Sequence, residues 1–285
     1  MLIEVRRRAF VLGLGSALTL RARAGDEASP TTLAVVPQLT PILAFRRWSP
    51  LTARLESGSG QRLKLLLYNR IGDFEAQLLD GVPDLAYLNP YHMVMAHRAQ
   101  GYRPLVRSGS EKLSGLLLVR ADGPVRSLAD LQDRRVLFPS PNAFAASLLM
   151  RSMLEQQEKI RIQVEYVGNH DNVYRRLVLG DAVAGAGVRA TFELQPPELR
   201  ARLRVLYETP QMLPHPLAAH PRVAPERAER LIEALLALNA DAAGRELLAQ
   251  VEMPQVVRAD YERDYAPLAR LGLERYVVGP THPAS

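Results

Sequence analysis

Two short polar turns carry the side chains best suited to chemistry. One holds Pro139, Ser140, Pro141, Asn142 and Ala143; the other holds Gly168, Asn169, His170 and Asp171. Ser140 offers a hydroxyl, and Asn142 and Ala143 offer backbone N–H groups where a helix starts. His170 can donate a hydrogen bond, or a charge below about pH 6.5. That inventory suits holding a ligand better than making or breaking bonds. A plainer role stands open at each turn: the first is also an ordinary helix entry, and His170 or Asp171 could cap its own helix. No serine sits in a G-x-S-x-G context and no glycine-rich phosphate loop is present. The absence of cysteine removes thiolate metal sites, cysteine nucleophiles and a lipid-anchored cysteine. Six histidines are present, but His92/His97 and His215/His220 are spaced i, i+5, which does not put two ligands on one helix face. Neither a metal nor another cofactor is expected.

The elements that must position these turns can be read from hydrophobic period. Residues 134–138 form a short apolar, β-branched run broken by Pro139. Ala145, Leu148, Leu149 and Met153 then recur at helical spacing, and Ile160, Ile162, Val164 and Tyr166 alternate as a strand does. A second helix follows His170 and ends near Gly180. Both polar turns therefore lie where a strand passes into a helix, the edge at which α/β sheets bind ligands. Upstream, strands at 32–36, 62–68 and 84–89 alternate with helices, the first opened by Thr40 and Pro41 and carrying Ile42, Leu43, Phe45, Trp48, Leu51 and Leu55. Such alternation predicts parallel strands with helical crossovers. Two extended runs near 102–120 and another at 204–207 mark crossings between two lobes. Gly185 and Gly187 read as a thin buried turn, and the chain beyond 207 reads as helical, strongly so over 225–240.

Residues 1–24 read as an export segment. Arg6, Arg7 and Arg8 precede an apolar run over 10–20, and Ala22, Arg23 and Ala24 form a small-x-small cleavage site before Gly25. Arg7 and Arg8 also suit a twin-arginine signal. Those residues hold five of the 36 basic and one of the 30 acidic side chains, so the remainder carries 31 against 29. The formal charge of +6 thus gives no case for nucleic acid. About 260 residues remain, enough for two units that each bury a core.

An exported, cysteine-free chain with one α/β unit interrupted by another resembles a type II periplasmic binding protein. Within that group it resembles the phosphate/phosphite/phosphonate-binding proteins of ABC importers. The carriers are Trp48, Ser49, Pro50 and Leu51 with Leu55 and Glu56, then 81–89, 127–131, 136–139 and 167–173, over about 32–238. The resemblance implies an α/β fold of two lobes, each a mixed, mostly parallel sheet flanked by helices, with a ligand cleft between. The crossings place lobe 1 at 30–112 plus 206–285 and lobe 2 at 113–205. It implies a periplasmic, monomeric receptor, not an enzyme, that closes on a small oxyanion and delivers it to an ABC permease. A ligand-presenting partner of a sensor kinase, or an enzyme on the same fold, are the alternatives.

Site residues implied by the resemblance are Gln38, Tyr68, Asn69, Asn89 and Tyr91 in lobe 1, facing Ser140, Asn142, Ala143, His170 and Asp171 in lobe 2. Asp181 matches the family's acidic residue. One departure is energetic: in the place of the family's Ser-Thr-Ser run this chain has Ser140, Pro141, Asn142, Ala143 and Phe144, of which Pro141 lacks an N–H and Phe144 is bulky and apolar. Each charge-assisted hydrogen bond lost costs about 1.5–3 kcal/mol. A monoanion or a larger organic ligand in contact with Phe144 and Tyr91 would suffer least.

Overall fold

The computed structural model describes residues 29–279; the export segment 1–24 with Arg7 and Arg8, the expected start at Gly25, and His282 lie outside the described residues. Two sheets organise the chain. In the first, β1 (Thr31–Val35) sits between β2 (Leu63–Leu66) and β3 (Leu85–Tyr87), all parallel. Antiparallel strands complete it: β4 (Arg103–Ser108), β10 (Pro216–Ala219) and β11 (Val256–Arg258), in the order β11-β4-β10-β3-β1-β2. The second comprises β5 (Gly115–Arg120), β6 (Arg134–Phe138), β7 (Ile162–Tyr166), β8 (Ala184–Val188) and β9 (Leu203–Glu208), in the order β7-β6-β8-β5-β9.

Four of these nine pairings are parallel, so the sheets are evenly mixed instead of mostly parallel. The antiparallel members adjoin the crossings, where the chain must run back. It leaves the first sheet after Ser108 and returns between Glu208 and Pro216. A change of lobe at 206 therefore falls inside β9, whose Tyr207 and Glu208 still pair with Leu117 and Leu116. The two connectors lie side by side, joined by an antiparallel bridge between Leu113 and Met212.

Helices cover both sheets. On α1 (Pro41–Ser59) the buried stripe is Ala44, Trp48, Leu51, Thr52, Leu55 and Ser59, at helical spacing. Ile42, Leu43 and Phe45 fall off that stripe and are exposed, contrary to their expected place beside Trp48. Thr40 holds the cap position but its side chain makes no capping bond. Asn89 does cap α3 (Pro90–Gln100), accepting the N–H of His92 at 2.7 Å. Asn169 caps α5 (His170–Leu179), accepting from Asn172 at 2.9 Å, so neither His170 nor Asp171 serves as that cap.

In the second lobe the helix expected from Ala145 is built mainly of wide π-type turns, Phe144–Leu149 and Met153–Gln157, around a short α4 (Met150–Ser152). It presses on β5 at Gly115, where a Cβ would stand 2.2 Å from the Ala145 carbonyl oxygen. Gly185 and Gly187 belong to strand β8, not to a turn. A Cβ there would meet Val173 Cγ1 at 2.6 Å or Tyr174 Oη at 2.2 Å, so their bareness seats α5 against the sheet. One apolar cluster runs across the seam, joining Ala143–Ala146 and Val188 of the second lobe to the first lobe's core.

Candidate functional site

The polar turns of the two lobes meet at this seam. A cavity of about 20 Å³ lies there, lined by Gln38, Ile71 and Asn89 on one side and by Ala143, Phe144 and His170 on the other, with Leu113 and His215 from the connectors. Gln38, Asn89, Ala143 and His170 are thus brought together as expected from their turns. A water needs roughly 10–15 Å³ on this measure, so the closed lobes leave space for about one. An oxyanion of several heavy atoms requires the lobes to part about their paired connectors.

The chemistry of this cavity is polar but uncharged. Neither the Gln38 amide nor the His215 ring makes a hydrogen bond among the described residues, and His170 Nδ1 is buried without a partner. Burial pushes His170 down to about 4 and His215 to about 3, the latter helped by the nearby His92 and His170. Both imidazoles are therefore neutral at ordinary pH, each presenting one N–H donor and one acceptor. His215 stacks on Tyr87, with centroids 5.4 Å apart. No arginine or lysine lines the cavity. Phe144, 2% exposed, stacks on Tyr91 across the seam at 6.4 Å.

The Asn142 side chain reaches across the seam. Its Nδ2 donates to Glu75 Oε2 at 3.0 Å and to the Val278 carbonyl at 2.8 Å, and its Oδ1 accepts the Val278 N–H at 3.0 Å. Its own carbonyl accepts from Asn89 Nδ2 at 3.1 Å. Glu75 in α2 (Ile71–Leu79) is buried, and its other oxygen lies 2.7 Å from His92 Nε2. Asn142 is thereby a clasp between lobes. The carboxy-terminal segment reinforces it: Gln156 Nε2 donates to Tyr276 Oη at 3.2 Å, and the Arg151 guanidinium lies 4.7 Å from the Tyr276 ring centroid. Ser140 and Asn142 border a separate chamber of about 280 Å³ beside the clasp.

Four expected residues stay off both hollows. Tyr68 donates its hydroxyl to Gln77 Oε1 at 2.9 Å, and burial pushes it up to about 12. Asn69 is exposed; both follow β2, which is the sheet's outer strand. Tyr91 is buried beneath Phe144, and Asp171 accepts from Gln195 Nε2 at 2.8 Å. Asp181 pairs with Arg176 at 2.8 Å, and Arg189 with Glu208 at 2.5 Å. His215 and Glu75 are the additions that sequence reasoning missed. The first stands between two prolines with no periodic neighbour, and the second sits on an amphipathic helix where an acid reads as surface. Among the described residues no cluster of His, Asp or Glu is disposed to hold a metal, and no helix is long and apolar enough to cross a membrane.

Two α/β lobes joined by paired connectors, with a hollow between their facing turns, define a type II periplasmic binding protein. The sequence profile described as ABC transporter, phosphonate, periplasmic substrate-binding protein matches residues 33–265, and the chain belongs to that family. Among solved structures it is similar to a binding-protein component of an ABC phosphonate transporter from Pseudomonas aeruginosa, with TM-score 0.79, 14% identity and 87% of each chain covered. It is also similar to PhnD1 from Prochlorococcus marinus, solved with methylphosphonate, at TM-score 0.75 and 16% identity over 85% of this chain and 96% of that one. A Xanthomonas citri protein solved with chloride ion follows at TM-score 0.67 and 17% identity, over 87% of this chain and 99% of that one. No curated protein sequence matches the chain.

Proposed function

We propose that this chain is the periplasmic receptor of an ABC importer for a small, singly charged oxyanion of the phosphonate, phosphite or phosphate class. The observation that carries the reading is the hollow between facing turns, where Gln38 from one side, His170 from the other and His215 from a connector supply neutral donors. Donors contributed by two bodies make the closed form depend on the ligand, which is how a receptor reports occupancy to a permease. Neutral imidazoles and amides satisfy a monoanion's oxygens more readily than a dianion's charge. The family assignment supports transport over catalysis.

The test is a thermal-shift screen of phosphite, methylphosphonate, phosphate, sulfate and small carboxylates, followed by calorimetry. A ligand at 100 times its dissociation constant adds about 2.7 kcal/mol of stability. Phosphite or methylphosphonate is expected to give the largest shift. A flat response to every oxyanion, with a shift from a neutral or cationic solute, would refute the reading.

A further inference from the structure

The uncharged core cavity leaves a question that its neighbour answers: what meets the ligand's charge? The chamber of about 280 Å³ beside the Asn142 clasp is lined by both lobes, and Ile71 borders it and the core cavity alike. Arg70 lines it, exposed, with no ion-pair or hydrogen-bond partner among the described residues. Arg70 is also the cap residue of α2, a nine-residue helix, and its side chain makes no capping bond. The N–H groups of Ile71, Gly72 and Asp73 find no acceptor among the described residues, so the positive end of that helix is unspent.

Across the chamber stands an independent sign of a missing partner. Ser140 is 6% exposed, and its Oγ is buried with no hydrogen-bond partner. Leaving a hydroxyl unpaired in a protein interior is costly, and such groups mark positions where a ligand or water completes the set. Tyr166, also lining the chamber, accepts from Arg151 at 2.8 Å and so keeps its own proton free to donate. The one acid present, Glu75, has a donor on each carboxylate oxygen, from His92 and Asn142.

We infer that this chamber is an oxyanion site, with the Arg70 guanidinium and the start of α2 gripping the anion from lobe 1 and the Ser140 hydroxyl from lobe 2. Planar guanidinium and free helix N–H groups together match a tetrahedral oxyanion. The inference rests on the reading of the chain as an oxyanion receptor and moves the charged group away from the Asn142–Ala143–Phe144 turn. There the bulky Phe144 is buried and the Asn142 side chain is spent.

Calorimetry with methylphosphonate, inorganic phosphate and sulfate on the full exported chain tests it, comparing wild type with Arg70→Gln, Ser140→Ala and His170→Gln. Arg70 is exposed, so Arg70→Gln leaves the fold intact, which circular dichroism and the unliganded Tm verify. The expected result is a loss of at least tenfold in affinity for Arg70→Gln, a smaller loss for Ser140→Ala, and a salt dependence that weakens in Arg70→Gln. Wild-type affinity in Arg70→Gln together with loss in His170→Gln would overturn the chamber while leaving the receptor reading standing. No binding of any of the three anions to wild type would overturn both.

Discussion

His170 gives the sharpest test of how the seam is built. Buried beside Tyr174 with Nδ1 unpartnered, it is pushed down to about 4 by desolvation alone. The unfolded chain protonates this histidine through pH 6.5, the folded chain only near 4. Between those values the unfolded state holds more protons, so stability falls as pH falls. Worked through, the move from pH 7 to pH 5 costs the folded state about 2 kcal/mol through this one group, and about 3 kcal/mol by pH 4. Carboxylates elsewhere add their own pH dependence, so the assay is a difference. Urea unfolding of wild type and His170→Gln is followed at pH 7, 6 and 5. The variant starts less stable because it loses packing, but the gap closes by about 2 kcal/mol at pH 5. Parallel losses of stability in the two proteins over that range would refute the claim that His170 is buried neutral.

Other expectations follow from the same seam. Asn142→Ala removes its hydrogen bonds to Glu75 and Val278 at a site 1% exposed, and urea unfolding should show a loss of about 2–4 kcal/mol. Gly115→Ala sets a Cβ 2.2 Å from a backbone oxygen that cannot turn aside, so Tm should fall by more than for Gly72→Ala, where the space is open. Phe144→Ser should lower Tm, because removing a buried phenylalanine costs about 3–5 kcal/mol, and should leave methylphosphonate affinity in calorimetry unchanged, because Phe144 does not line the Arg70 chamber.

Much of the architecture was legible because period is a local property. Trp48, Leu51 and Leu55 announce α1, and the alternation of Ile162, Val164 and Tyr166 announces β7. The two strand-to-helix turns were legible for the same reason, and Ala143 and His170 do reach the cavity. What escaped was whatever depends on a distant partner. β10 reads only Pro216, Leu217, Ala218 and Ala219, with no alternation, and becomes a central strand because β3 and β4 flank it. The side-chain bonds of Asn142 to Glu75 and Val278, 67 and 136 residues away, were equally out of sight. Tyr68 and Asn69 were placed by family likeness, yet they follow an edge strand and line neither hollow.

The order of strands in the first sheet also constrains how the molecule comes into being. β4 has no neighbour among β1, β2 and β3; it is held only by β10 and β11, which arrive more than a hundred residues later. Lobe 2, by contrast, is a single run of chain whose strands pair only with one another. During synthesis, then, the lobe in the middle of the chain can close first, while β4 and the edge of β3 wait unpaired for the last third of the sequence. Those waiting edges are the exposed template that chaperones recognise and that mispairing exploits. A refolding experiment should accordingly show lobe 2 amides protected early, and those of Leu105 and Val106 protected last.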